Sequence, residues 1–160
     1  MTTVKITKLN SNALIPQYMT SGASGLDVCA CLDHPIEIKP LERFAVPTGL
    51  CVEIPEGFEI QVRPRSGLSF KQGLTVVNAP GTIDSDYRGE IQVLVVNLGQ
   101  EQVTIQSGDR IAQFVFQRVE QIEWVESSAE SLSKTSRAEG GFGSTGMGSK
   151  ASEPKHDALI

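Results

Sequence analysis

The apolar residues of this chain recur at every second position in short runs, and no long window keeps them at helical spacing. Phe58, Ile60 and Val62 alternate with Glu59, Gln61 and Arg63, the period of a half-buried strand. Val4 and Ile6 repeat the pattern on a shorter scale, as do Ile36 and Ile38 ahead of Pro40. Ile91 to Val96 and Ile111 to Phe116 are denser in apolar residues, so at least one of them is expected to be covered on both faces. Pro-Thr-Gly at 47–49 and Pro-Glu-Gly at 55–57 punctuate these segments as hairpin loops do. The best helical candidate is a single short turn around Ser66 to Lys71. Short strands separated by glycine and proline turns predict an all-β sandwich or barrel.

The chain's 160 residues suffice for one domain with a real core and are too few for two comfortable ones. Fourteen basic residues against nineteen acidic ones leave a net charge of −5, which argues against bulk nucleic-acid binding. An anionic ligand has to be met by locally concentrated arginines. The longest apolar runs fall far short of a membrane span, and the start, MTTVKITKLN, holds no hydrophobic signal core. Cys29, Cys31 and Cys51 lack metal-ligand spacing, with only His34 and His156 to assist them. They are expected to be reduced, mostly packed thiols of a cytoplasmic protein.

Five clusters carry the chemistry. GTIDSDYRGEI at 81–91 sets two acids, Tyr87 and Arg88 between glycines, with a third acid, Glu90, after them and an apolar strand directly ahead. An aspartate held at the mouth of a rigid hairpin can orient a water or take its proton, and an aromatic ring can pack on a sugar or base. A charged surface hairpin with a solvated tip accounts for the same residues. PRSGLSFKQGL at 64–74 places Arg65, Ser66 and the N–H of Gly67 where a helical turn begins, which suits an anion and equally suits a strand-to-turn joint. SGLDV at 24–28 brings Asp27 from a glycine turn into a strand, and GDRIAQ at 108–113 reads as a type I turn feeding a core strand.

From about Ser127 the composition turns to Ser, Gly, Lys and Glu with few apolar anchors, the signature of a segment disordered on its own. Inside it RAEGGFGSTG at 137–146 combines Arg137, a glycine-flanked Phe142 and the Ser144-Thr145 pair. Arginine, hydroxyls and glycine backbone are the groups that wrap a phosphate. The Walker lysine is missing, so this is not a P-loop.

Taken together, SGLDVCA at 24–30, PRSGLSFKQGL at 64–74, GTIDSDYRGEI at 81–91, GDRIAQ at 108–113 and RAEGGFGSTG at 137–146 closely resemble, in order and spacing, the five motifs of the homotrimeric dUTPase family. Deaminases of dCTP share the fold but resemble this chain less, since they carry a serine pair and a later arginine in place of Ser66-Gly67 and Lys71. The resemblance implies a jelly-roll-like β-barrel or sandwich over residues 1–126, a mobile arm over 127–146, and a disordered tail over 147–160. It implies a homotrimer with shared sites, and hydrolysis of dUTP to dUMP and pyrophosphate, limiting dUTP and supplying dUMP for thymidylate synthesis. Asp84 would be the base that activates water against the α-phosphorus, and Tyr87 would pack under the deoxyribose. The backbone from Asn78 through Gly81, Thr82 and Ile83 would read the uracil edge, with Gln92 flanking it. Arg65, Ser66 and Gly67 would hold the phosphates, supported by Gln113. Arg137, Gly143, Ser144 and Thr145 would close on the γ-phosphate while Phe142 stacks over the base. Mg²⁺ would be held by substrate phosphates and waters, with Asp27 touching it at most through water. Ala138, where many members carry glycine, departs from the pattern at little cost unless that position needs a positive φ.

Overall fold

In the computed structural model, which describes residues 2–141, the alternation at 58–63 becomes strand Phe58–Arg63 with Ile60 and Val62 buried. It is the fourth strand of a five-stranded antiparallel sheet in the order Gln17–Tyr18, Leu26–Cys29, Arg110–Arg118, Phe58–Arg63, Gly81–Ile83. A three-stranded sheet places Gln92–Asn97 between Arg43–Pro47 and Leu74–Val76. Two ribbons complete the set, Lys5–Lys8 with Leu50–Glu53 and Ile36–Ile38 with Val103–Ile105. The four sheets share one core, to which Val28 and Phe114, Val46 and Val93, Leu50, and Ile38 and Ile105 all contribute. Sheets packed over a common core, without one continuous closed ladder, make a sandwich rather than a barrel.

Of the two dense strands, Arg110–Arg118 is the one covered on both faces: Ile111 and Ala112 are buried in succession, as are Phe114 and Val115. Gln92–Asn97 instead alternates, with Val93, Val95 and Asn97 inward. The helical turn runs Ser66–Gln72. Among the described residues no helix is long and apolar enough to cross a membrane. All three cysteines are free, Cys31 buried and the others half-buried.

Three expectations need correction. Pro47-Thr48-Gly49 and Pro55-Glu56-Gly57 are not hairpin loops, because the strands on either side of each turn pair in different sheets. Turn chemistry reverses the chain, but it does not choose the partner. The stretch 81–91 is likewise no hairpin. Gln92–Asn97 already has neighbours on both edges, so Gly81–Ile83 pairs with Phe58–Arg63 and closes the edge of the other sheet. The turn before Arg110 is closed by the Asp109 N–H donating to the Gln106 carbonyl at 3.1 Å, with Gly108 at φ 88, a type II rather than a type I geometry.

Contacts divide the chain after Gln121 into two units. The second, taken by itself, has a 3₁₀ turn at Ala129–Ser131 and a tight turn in which the Gly140 N–H donates to the Arg137 carbonyl at 2.9 Å.

Candidate active site

The crossover from Gly81 to Gln92 builds a small cavity of about 250 Å³. Seven residues singled out from the sequence line it: Asn78, Gly81, Thr82, Ile83, Asp84, Tyr87 and Gln92. Val62, Glu90, Ile91 and Leu94 complete the wall. Ile83 and Ile91 are buried on either side of the loop, and between them the polar residues face outward. Asp84 also lines a broader cleft with Glu56, Glu59, Asp86 and Arg88, so its exposed carboxylate stands on the rim between two cavities. Tyr87 is tied at both ends. Its N–H donates to the Asp84 carbonyl at 3.2 Å, and its hydroxyl donates to the Glu90 carbonyl at 2.9 Å.

A second group assembles by strand register. Gln113 lies opposite Asp27 on one side and Arg63 on the other, which puts Asp27, Gln113 and the start of Pro64-Arg65-Ser66 in one row. The Gln113 amide donates to the Pro64 carbonyl at 3.0 Å. The Asp27 carboxylate receives Arg65 Nε at 3.3 Å on one oxygen and Arg110 Nη1 at 3.1 Å on the other. A second Arg65 nitrogen donates to the Arg110 carbonyl at 3.0 Å. Two guanidiniums are thus held side by side by one carboxylate, a fixed double cation suited to phosphate oxygens. Ser66 and Gly67 open the helix beside them, exposed and without a side-chain cap. Burial raises the Cys29 thiol above its ordinary 9.0; the Arg110 guanidinium opposes the shift, and the Asp27 carboxylate adds to it.

Arg65 and Arg110 of this second group line a cavity apart from the first, and Asp27, Ser66, Gly67 and Gln113 line neither of the two. Arg137, in the second unit, donates from Nε to its own turn at Gly140 O, 2.8 Å away. Phe142, Gly143, Ser144 and Thr145 lie outside the described residues. Ala138 sits at φ 42, in the left-handed region, where an alanine is strained by roughly 1 kcal/mol. The condition under which its departure from glycine matters is therefore met.

The roles of three contributors were not readable from the sequence. Arg110 in GDRIAQ, Glu90 in GTIDSDYRGEI and Thr48 in the Pro-Thr-Gly turn each sit in a recognisable segment, but their partners are 83, 41 and 43 positions away.

A sequence model of the dUTPase family matches residues 11–146. The chain belongs to the dUTPase family. It is 55% identical over 142 residues to the deoxyuridine 5'-triphosphate nucleotidohydrolase of Hydrogenobaculum sp. (strain Y04AAS1), covering 89% of this chain and 96% of that protein. The namesake of Cytophaga hutchinsonii is 57% identical over 145 residues, covering 91% and 92% of the two chains. Among solved structures, Staphylococcus bacteriophage 80alpha dUTPase with dUPNHPP superimposes with a TM-score of 0.81 at 25% identity, over 91% of this chain and 99% of that one. A variant dUTPase from phage phi11 of S. aureus, described for the coordination of its structural Mg(II) ion, shares the fold with a TM-score of 0.72 at 22% identity, over 79% and 97%. As a member of the dUTPase family, the chain is a hydrolase acting on dUTP.

Proposed function

We propose that the chain cleaves dUTP to dUMP and pyrophosphate by attack of a water, deprotonated by Asp84, on the α-phosphorus. The observation that carries this reading is the single cavity shared by Asn78, Gly81, Thr82, Ile83, Asp84, Tyr87 and Gln92, with Asp84 at its exposed rim. Gly81–Ile83 is an edge strand, so one row of its N–H and C=O groups has no ladder partner. Those groups match the alternating acceptors and donor of uracil. Cytosine would leave them mispaired at a steep cost, and the methyl of thymine meets a tight wall. The Tyr87 ring packs under the deoxyribose where a 2′-hydroxyl would stand.

Arg65 and Arg110, set by Asp27, face the phosphates together with Ser66, Gly67 and Gln113. A triphosphate carries about four negative charges, and fixed cations that offset them are the main catalytic device in such chemistry. Among the described residues no three His, Cys, Asp or Glu side chains form a metal cluster, and both Asp27 oxygens face guanidiniums. The donor set therefore fits Mg²⁺ carried by the nucleotide's own oxygens and waters, with no cage from the protein. When bound, the ion supplies further neutralisation of phosphate charge.

The same reading makes the active form a homotrimer. None of the anion-binding residues lines the nucleoside cavity of the same chain, and Arg65 and Arg110 line a separate one, so in this reading a neighbour's groups complete the site. Leu94 is 41% exposed on the sheet centred on Gln92–Asn97, with Ala45 opposite it; Val77, in the turn just past Leu74–Val76, is 46% exposed beside it, and Leu94 also lines the nucleoside cavity. A neighbouring copy on this apolar face covers it and closes the pocket. Residues 1–126 then form the body, 127–146 the arm that brings Arg137, Phe142, Gly143, Ser144 and Thr145 over the nucleotide, and 147–160 a dispensable tail. Free thiols suit a reducing cytoplasm.

The test is pyrophosphate release by the full chain on dUTP, dCTP, dTTP and UTP, with sedimentation alongside. Release on dUTP alone by a trimer is expected. Equal use of UTP, or full activity in a monomer at high dilution, refutes the reading.

A further inference from the structure

Nothing in the regular sheets fixes the segment 84–91, yet Tyr87 has to stand still to exclude a hydroxyl. The hydrogen bonds show where the segment is held. The buried Thr48 donates to the Ile91 carbonyl twice, from its N–H at 3.2 Å and from its hydroxyl at 2.7 Å. The Ile91 N–H donates to the Leu50 carbonyl at 2.8 Å. Between them the Gly49 N–H donates to Glu90 Oε1 at 2.8 Å. The turn 48–50 itself has little room to shift. Gly49 has φ +66, and a Cβ there would lie 2.9 Å from the Ala13 Cβ and 3.0 Å from the Cys31 sulfur.

Glu90 is engaged twice: its carboxylate grips this immobile turn, and its carbonyl receives the Tyr87 hydroxyl at 2.9 Å. Among the described residues, the neighbouring Arg88 guanidinium donates only to carbonyls of its own loop, at Ser85 and Tyr87, and there it offers the ring no outside anchor. We propose that Glu90 is a positioning residue: it fixes the Tyr87 ring against the Thr48-Gly49-Leu50 turn and so sets the preference of the pocket for a deoxyribose over a ribose. This rests on the reading of Tyr87 as the sugar gate. Glu90 touches no reacting atom in this scheme. Without its carboxylate the buried Gly49 N–H loses its acceptor, and the residue whose peptide receives the tyrosine hydroxyl loses one of its two ties to the turn, leaving only the Ile91 N–H on the Leu50 carbonyl.

The test compares the full chain with Glu90→Ala, Glu90→Asp, Glu90→Gln and Tyr87→Ala, measuring KM and kcat for dUTP and UTP and the melting temperature of each. Glu90→Ala is expected to narrow the dUTP-over-UTP ratio of kcat/KM by about tenfold, mainly through KM for dUTP. Glu90→Gln keeps an oxygen acceptor and restores the ratio, whereas Glu90→Asp keeps the charge but shortens the reach and falls between. If the alanine variant does not fold, the aspartate and glutamine variants decide alone, and a parental ratio in both overturns the proposal. It is also overturned if Glu90→Ala slows both substrates alike at a lower melting temperature, which marks a merely structural residue. A glutamine variant as impaired as the alanine one overturns it too, because the charge would then be what acts. Tyr87→Ala separates the two ideas. If it leaves the ratio untouched, the sugar-gate reading fails and takes the proposal with it. If it narrows the ratio while Glu90→Ala does not, only the positioning role fails.

Discussion

A single methyl group placed on Gly89 tests the geometry of the nucleoside pocket most directly. A Cβ built there falls 2.5 Å from the Tyr87 hydroxyl oxygen, 2.7 Å from Cζ and 3.1 Å from Cε2. Ordinary contact needs about 3.5 Å, so the ring has to withdraw by about 1 Å. That movement lengthens the 2.9 Å bond from the Tyr87 hydroxyl to the Glu90 carbonyl beyond the range of a hydrogen bond. The fold, however, barely registers the change. Gly89 is not among the glycines at positive φ, and Tyr87 is 45% exposed and outside the core cluster. The lost hydrogen bond costs about 1 kcal/mol, and the smaller freedom of alanine in the unfolded chain offsets much of it. Catalysis has no such offset. A 1 Å displacement of a group that positions the substrate lowers kcat/KM by roughly a hundredfold, about 2.7 kcal/mol. Gly89→Ala is therefore expected to melt within a few degrees of the parent, to lose about two orders of magnitude in kcat/KM on dUTP, and to accept UTP relatively better. Steady-state pyrophosphate release and a thermal melt suffice. Parental kcat/KM in a folded variant refutes the placement of Tyr87 beside the sugar.

Asp27→Asn removes the charge that holds Arg65 and Arg110 together, and is expected to raise KM for dUTP by about tenfold with kcat little altered. Calorimetric titration of a non-hydrolysable analogue checks it, and unchanged affinity removes Asp27 from the anion site. Deleting residues 137–160 is expected to abolish most activity with the melting temperature kept, because every residue of the core cluster lies between Ala13 and Phe114; unfolding on truncation contradicts this. Burial, with the Glu90 and Asp33 carboxylates adding to it, raises the Cys31 thiol above its ordinary 9.0, so the fold favours the neutral form. That contribution to stability is complete below the unfolded thiol value and is lost as pH rises through the folded one. At neutral pH, alkylation of Cys31 by iodoacetamide is expected to run at least about tenfold slower in the native chain than in urea, and equal rates refute its burial. Ala138→Gly relieves a residue at φ 42 and is expected to lower KM for dUTP by a few-fold, measured on the full chain.

What the chain shows of its fold and site before folding depends on how far apart the cooperating residues lie. The strand at 58–63 was legible because its own side chains carry the period, and the helix at 66–72 because Pro64 and Gly73 bound it. The cavity beside the loop is lined by residues that the family motif groups together, since those from Asn78 to Gln92 fall within one short stretch and Val62 and Leu94 come from outside it. Sheet membership was not. Pro47-Thr48-Gly49 and the loop 81–91 both announce a reversal, yet each joins strands whose partners are chosen by burial elsewhere. The hidden part of the site follows the same division. Arg110 meets Asp27 across 83 positions, and Glu90 meets Gly49 across 41, through contacts that exist only once the sheets have formed. A binding wall made from one loop can thus be read from its motif, whereas the groups that hold such a wall rigid come from wherever the core happens to bring a second backbone. If Tyr87 is the sugar gate proposed above, specificity rests on that second kind of residue, because a gate excludes a hydroxyl only while it cannot move aside.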